Sequence, residues 1–277
     1  MNRRLFLRST LAALCTTPGF AAGYGLFEAC WVKIDRQHLP LARLPQAFDG
    51  FTIAFLTDIH HGPFTSLDYV AAVVRTTLAL KPDLILLGGD YSLKEGKYIP
   101  PCLEVLGGLK APFGVYGVLG NHDYWHGVEL TKTSMAAAGI QELTNTGTWI
   151  SRGAARWRLG GVDDWWTGRS DPQAALGDAS ATDACLLVSH NPDLAEQLRD
   201  PRVGLVLSGH THGGQVVFPG AGAPFVPSRY GQKYRHGLVQ APQTLVYVSR
   251  GLGTSGLPVR FCSRPEINLI TLKSSVA

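Results

Sequence analysis

The sequence contains five short apolar runs, each of which stops at residues suited to holding metals or moving protons. Run 51–57 stops at Asp58-Ile59-His60, run 83–87 at Gly88-Gly89-Asp90, and run 113–119 at Gly120-Asn121-His122-Asp123. Run 184–188 stops at Ser189-His190-Asn191, and run 203–207 at Ser208-Gly209-His210-Thr211-His212. Apolar runs this short, without polar alternation, are expected of strands covered on both faces. Helical spacing over 67–80, ended by Lys81-Pro82, and helical patterns over 130–138 and 193–199 supply the covers. In open α/β sheets the ligand crevice lies beyond the carboxyl ends of the strands. The polar clusters therefore converge on one crevice.

The chain of 277 residues is long enough for one large α/β domain or two small ones, and 45% hydrophobic with 17% charged residues suits a compact globular enzyme. No internal repeat or low-complexity tract interrupts it. Residues 23–50 read as a leader, with Pro40 and Pro45 interrupting any regular element, and one domain runs from about residue 50 to the end, with strand-like runs at 244–248 and 267–272. The net charge of +4 is concentrated at Arg3, Arg4 and Arg8, in an acid-free stretch; the remainder is nearly neutral. A neutral body gives no argument for specific nucleic-acid binding.

The N-terminus, Asn2-Arg3-Arg4-Leu5-Phe6-Leu7-Arg8 followed by a mildly apolar run over 11–22, resembles a twin-arginine export signal. The run contains Pro18 and Gly19 and falls short of the roughly 20 apolar residues of a spanning helix. Ala21 and Ala22 offer a cleavage site, while an uncleaved anchor and a frayed basic terminus stay open. Residues 1–27 are thus expected to be a signal or membrane anchor, and residues 28–277 the domain. The expected location is periplasmic or membrane-associated, with the cytoplasmic face of the inner membrane as the alternative. Cys15 follows Leu14, where a lipoprotein box needs a small residue. Cys30, Cys102, Cys185 and Cys262 lack CxxC spacing and read as buried thiols, with one or two disulfides open.

Carboxylates, imidazoles and one amide suit Mn, Fe or Zn, and no thiolates cluster. Alternation along a strand would put Asp58 and His60 on one face, and likewise His210 and His212. Gly88-Gly89 permits the sharp turn that lets Asp90 reach between two ions. A lone histidine is usually a surface or core residue, but His60, His190, His210 and His212 each follow a buried strand. His61 should point away as a lip residue, and His126 and His236 read as loop residues. Asn121 can be a turn residue, but His122-Asp123 beside it favours a ligand. Tyr124-Trp125 and Trp165-Trp166 either wall the substrate or cap the core, and Arg169, Arg250 and Arg260 either meet phosphate or are solvated. The apolar loop 221–226 is a candidate lipid-facing surface.

Taken in order, DxH, GD, GNH(D/E), H and GHxH resemble the signature of the calcineurin-like metallophosphoesterases. Thr57-Asp58-Ile59-His60-His61-Gly62, Gly209-His210-Thr211-His212-Gly213-Gly214-Gln215 and Ser249-Arg250-Gly251-Leu252-Gly253 resemble the branch with a twin-arginine-type N-terminus, over roughly residues 28–272. That resemblance implies a four-layer α/β/β/α sandwich with two mixed sheets. It implies two divalent ions, one held by Asp58, His60, Asp90 and His212, the other by Asp90, Asn121, His190 and His210. Ions about 3.5–4 Å apart share a water whose pKa falls toward about 7, giving a hydroxide for in-line attack on phosphorus. His122 then reads as general acid or phosphoryl-oxygen donor, and Asp123 as orienting a neighbouring histidine from behind.

The expected activity is hydrolysis of a phosphoester or phosphoanhydride, foremost a phosphodiester, by a monomer acting on a phosphorylated small molecule or lipid. A UDP-2,3-diacylglucosamine pyrophosphatase, as known among relatives, is one alternative. A noncatalytic metal-binding module is another, although such proteins usually lose ligands and none is missing here.

Overall fold

The computed structural model describes residues 22–274. The export signal expected around Arg3, Arg4 and Arg8, and the Cys15 reading, lie outside the described residues. Among those described, no helix is long and apolar enough to cross a membrane.

Two six-stranded mixed sheets form the centre. The first comprises β1 (Lys33–Leu41), β2 (Thr52–Leu56), β3 (Leu84–Leu87), β4 (Val115–Gly117), β5 (Gln141–Glu142) and β12 (Glu266–Ser274), in the order β1-β12-β2-β3-β4-β5. The second comprises β6 (Thr146–Arg152), β7 (Ala155–Gly161), β8 (Cys185–Val188), β9 (Val203–Ser208), β10 (Gly237–Gln240) and β11 (Leu245–Val248), in the order β10-β11-β9-β8-β7-β6. Strands β2, β3 and β4 run parallel, as do β7, β8 and β9, so each set ends on one edge of its sheet.

Strand alternation sorts the apolar side chains into layers. Leu84 and Leu86 of β3 enter the core between the sheets, where they join Leu186, Leu205 and Leu207 of the second sheet. Ile85 and Leu87 face outward, onto α2 (Leu67–Ala79), α3 (Ile99–Leu106) and α4 (Asn121–Ala137). On the other side, Leu187 and Val206 pack with Leu176 of α5 (Pro172–Leu176) and Leu194 of α6 (Leu194–Gln197). This is the four-layer α/β/β/α sandwich. Burying both faces explains why the strand runs lack polar alternation.

Helix ends follow local chemistry. Ser66 caps α2 by accepting from the Tyr69 N–H, and Lys81, with φ of 51°, and Pro82 end it. The helix expected over 130–138 begins earlier, at Asn121, and passes through a kink at Gly127, where φ is 140°. The helix expected over 193–199 is a single turn.

The leader reading of 23–50 needs correction. Residues 22–30 form helix α1, and Lys33–Leu41 pair in parallel with β12 along their whole length. Pro40 is tolerated because β1 is an edge strand with one neighbour, which leaves alternate N–H groups unused. Cys102 and Cys185 are buried, whereas Cys30 and Cys262 are exposed, and all four are free thiols.

Candidate metal centre

The polar clusters leave their strands through turns. β2 stops at Leu56 and β9 at Ser208, so Asp58, His60, His210 and His212 lie beyond the strands. Asp58, His60, Asp90, His210 and His212 all adopt left-handed backbone angles, with φ of 53°, 49°, 59°, 69° and 52°. Strand alternation therefore does not aim these pairs; a left-handed residue on either side of an ordinary one does. Such conformations cost on the order of 1–3 kcal/mol each and persist where the surroundings over-determine them. Here the turns are tied together: Asp58 and His60 donate their N–H groups to the carbonyls of Gly89 and Asp90, and Gly253 donates to the Asp58 carbonyl. Gly89, at φ of 91°, has no room for a side chain, since a Cβ would stand 2.5 Å from the Gly120 nitrogen.

All seven expected ligands are buried, and the metal-capable atoms of six fall into overlapping groups whose members lie within 4.8 Å of one another. His60 Nε2 stands 3.1 Å from His212 Nε2 and 3.5 Å from Asp90 Oδ2, and His212 Nε2 stands 3.4 Å from Asp58 Oδ1. Across Asp90, His190 Nε2 stands 3.2 Å from Asp90 Oδ2 and 3.2 Å from His210 Nδ1. Ligands each about 2.0–2.2 Å from a shared ion have roughly this spacing. A third group joins His60 and Asp90 to His122.

The lone pairs also suit a cation. The carbonyl of Gly88 accepts from His190 Nδ1 at 2.7 Å, which leaves the Nε2 lone pair facing Asp90 and His210. Asn121 Oδ1 is buried without a hydrogen-bond partner among the described residues. Burial holds His60 down to about 3 and holds His210 and His212 well below the ordinary imidazole value, the neutral form that metals require. Burial acts the same way on His190, but the charges of Asp90 and Asp58 outweigh it and raise that imidazole. Asp90 is held low despite its burial, by His190, His122 and His60. Burial carries Asp58 up to about 6, with Asp90 adding to the rise.

Several expectations change on contact. Asp123 orients no histidine; its carboxylate accepts the N–H groups of Gly120, Asp90 and Tyr91 at 2.9, 2.8 and 3.0 Å. Arg260 meets no phosphate, being wholly buried and donating to the carbonyls of Gly253, Arg250, Ser263 and His212 at 2.6, 2.8, 2.9 and 3.4 Å. Arg250 is held by Glu266 at 2.6 Å, and Arg169 is exposed outside the cleft lining. His61 is buried and donates to the Thr65 carbonyl at 2.7 Å, so it is a loop staple and not a lip. His126 lies on α4 with its ring 5.3 Å from that of His122, and His236 is a loop residue beside Arg250. The aromatic pairs divide: Trp125 and Trp166 line the cleft, Tyr124 donates to Asp163, and Trp165 packs on the core.

Sequence reasoning missed Thr57, whose hydroxyl donates to Asp58 at 2.8 Å, while the His210 N–H reaches the same carboxylate at 3.0 Å. Asp58 thereby joins the ends of the two sheets. A hydroxyl residue directly before the aspartate was the available signal. Nothing comparable announces Arg260, because its partners, chiefly carbonyls together with His212 Nδ1 at 3.5 Å, come from separate loops.

Residues 51–214 match the family model described as calcineurin-like phosphoesterase. The chain belongs to the calcineurin-like phosphoesterase family. This phosphoesterase is 34% identical over 283 aligned positions to the uncharacterized metallophosphoesterase YkuE of Bacillus subtilis (strain 168), covering 99% of each chain. It is 35% identical to the phosphodiesterase YaeI of Escherichia coli (strain K12), covering 98% of this chain and 99% of the relative. Among solved structures it resembles the sulfate thiohydrolase SoxB of Thermus thermophilus, at a TM-score of 0.49 and 15% identity, over 83% of this chain and 57% of that one. The phosphoesterase is a hydrolase of a metal-dependent family, and its clustered histidines and aspartates are able to bind metal.

Proposed function

We propose that this phosphoesterase hydrolyses a phosphodiester with two divalent ions. Asp58, His60, Asp90 and His212 would hold one, and Asp90, Asn121, His190 and His210 the other. The observation that carries this reading is the position of Asp90 Oδ2, 3.5 Å from His60 Nε2 and 3.2 Å from His190 Nε2. One carboxylate is thus in reach of both donor groups. Bound ions would supply Lewis acidity toward the phosphoryl oxygens and a water acidic enough to attack near neutral pH. Nitrogen and oxygen donors without thiolate favour Mn, Fe or Zn.

The protein's own groups complete the site. His122 lines the cleft beside Asp90, to whose carboxylate its N–H donates at 2.9 Å, and its imidazole hands a proton to the leaving ester oxygen. Trp125, with its ring 4.7 Å from that of His122, and Trp166, with its ring 4.3 Å from that of His210, wall the cleft on either side. A relative named as a phosphodiesterase supports the diester over other phosphoryl substrates. Among the described residues no lysine or arginine lines the cleft, which disfavours a UDP-sugar pyrophosphatase.

The test uses bis-p-nitrophenyl phosphate. Chelated protein should lose nearly all turnover and regain it with manganese, and Asp90→Ala should not regain it. His122→Asn should keep its metal and lose about 10²- to 10³-fold in kcat; loss of metal instead would make His122 a ligand. Equal turnover by metal-stripped and manganese-loaded protein would refute the reading.

A further inference from the structure

Resting on the phosphodiesterase reading above, we infer that the substrate is a phosphodiester whose second ester carries a long alkyl or acyl chain, seated along the apolar cleft over the candidate metal centre. The cleft encloses about 540 Å³, with Asp90, Asn121 and His210 at its floor. Above them stand Trp125, Phe225 and Leu257, which line the cleft and yet are 57%, 72% and 67% exposed. Large apolar side chains left in water around a polar floor mark a binding groove.

Both lips are held in place by the same device. The side-chain amide of Gln232 donates to the Ala223 carbonyl at 2.6 Å and accepts from the Ala223 N–H at 3.3 Å, beside Phe225. The amide of Gln215 donates to the Leu257 carbonyl at 2.9 Å and accepts from the Ser255 N–H at 2.9 Å. Val217, Ala223 and Val226 pack beneath the first lip. The exposed phenyl and leucyl groups therefore sit on clamped backbone. Thr254 and Pro258, at the two ends of the segment that carries Leu257, line a separate second cleft of about 520 Å³, with Leu26 and Phe64 among its other walls.

Charge points the same way. With no lysine or arginine along the cleft among the described residues, the floor can neutralise one phosphoryl group, and a polyphosphate would lie unpaired against apolar walls. In the reaction a water oxygen bonds to phosphorus, the bond to the leaving alcohol breaks, and the proton goes to the departing oxygen. The chain-bearing monoester remains.

The experiment compares manganese-loaded protein on methyl, octyl and thymidine esters of p-nitrophenyl phosphate, all below micellar concentrations. Each methylene buried favours binding by about three- to fourfold, so even partial burial predicts kcat/KM for the octyl ester about 30-fold above methyl. The thymidine ester should gain no more than about threefold. In the double variant Phe225→Ser with Leu257→Ser, the octyl-to-methyl ratio should fall below about 3. A flat chain-length series, a preference for thymidine, or an unchanged ratio in the double variant would overturn the inference. Failure to hydrolyse any of the three esters would instead strike the phosphodiesterase reading. Phosphatidylglycerol vesicles distinguish the source of the chain: turnover assigns it to bilayer lipid, and a chain-length effect without vesicle turnover assigns it to a soluble amphiphile.

Discussion

Asp123 and Arg260 are both wholly buried, and among the described residues neither forms an ion pair with a side chain. Asp123 meets backbone alone, and Arg260 meets backbone apart from a 3.5 Å contact with His212 Nδ1. Asp123 collects three N–H groups from the turns after β3 and β4, and Arg260 collects carbonyls from the loops that carry His212, Arg250, Gly253 and Ser263. The carboxyl of Asp123, pushed up to about 7 by burial and by Asp90, thus fixes the turn bearing Asp90, and the guanidinium of Arg260 fixes the turn bearing His212. The pair also differs in what its partners tolerate. A buried N–H has one hydrogen to give and is rarely left unpaired, whereas a carbonyl has two lone pairs and is more forgiving. Strained turns around a metal centre are therefore secured more tightly by the carboxylate than by the guanidinium.

The largest expected effect is that of Asp123→Ala. It orphans three buried donors at roughly 1–3 kcal/mol each, and partial access of water should leave a net loss of about 3–5 kcal/mol. Urea unfolding of metal-free protein measures it without interference from ion binding. Asp123→Asn, which keeps one acceptor oxygen, should fall between that variant and wild type. A loss under about 1 kcal/mol would show that the Asp90 turn holds itself.

Arg260→Met should cost less, about 1–3 kcal/mol in the same assay. It strips donors from several carbonyls, but it also removes a buried charge whose desolvation opposed folding. Burial already pulls this guanidinium down to about 10. If Arg260→Met proved more damaging than Asp123→Ala, the ranking of the two braces would be reversed.

This contrast also marks what could be read from the sequence. The expected ligands were legible as a cluster because each follows an apolar run, and such runs are forced into a two-face-buried sheet whatever their partners. Strand β1 was not, since its residues alternate between partly buried and exposed up to Leu39 and it contains Pro40, features that only its edge position reconciles. Left-handed φ at Asp58, His60, Asp90, His210 and His212 was equally hidden, because histidine and aspartate carry no obligatory backbone signal. Asp123 was visible beside its motif, but its partners were not. Arg260 reads from its charge as a phosphate contact or a solvated side chain, because a cation satisfied mainly by backbone leaves no complementary acid to find.

The smallest effect tests whether backbone pairing in the interior, and not carboxylate hydrogen bonding in general, sets these magnitudes. Asp35 on β1 also gathers three donors, from Tyr247, Gln37 and Lys33 at 2.7, 2.8 and 3.0 Å, but all are side chains, and Asp35 retains 20% of its exposure. Burial alone would raise this carboxyl; the hydrogen bonds overcome it and bring it to about 2, from an ordinary 3.8. A folded-state value below the unfolded one stabilises above the unfolded value and is lost as acid titrates the folded carboxylate. After allowance for solvent screening, Asp35→Asn should cost about 1 kcal/mol between pH 5 and 7. The gap to wild type in urea midpoint should narrow by roughly half at pH 3 and close near pH 2. A cost equal to that of Asp123→Ala, or a gap unchanged down to pH 3, would mean that donor count alone governs both carboxylates, and the distinction between interior backbone partners and peripheral side-chain partners would fall.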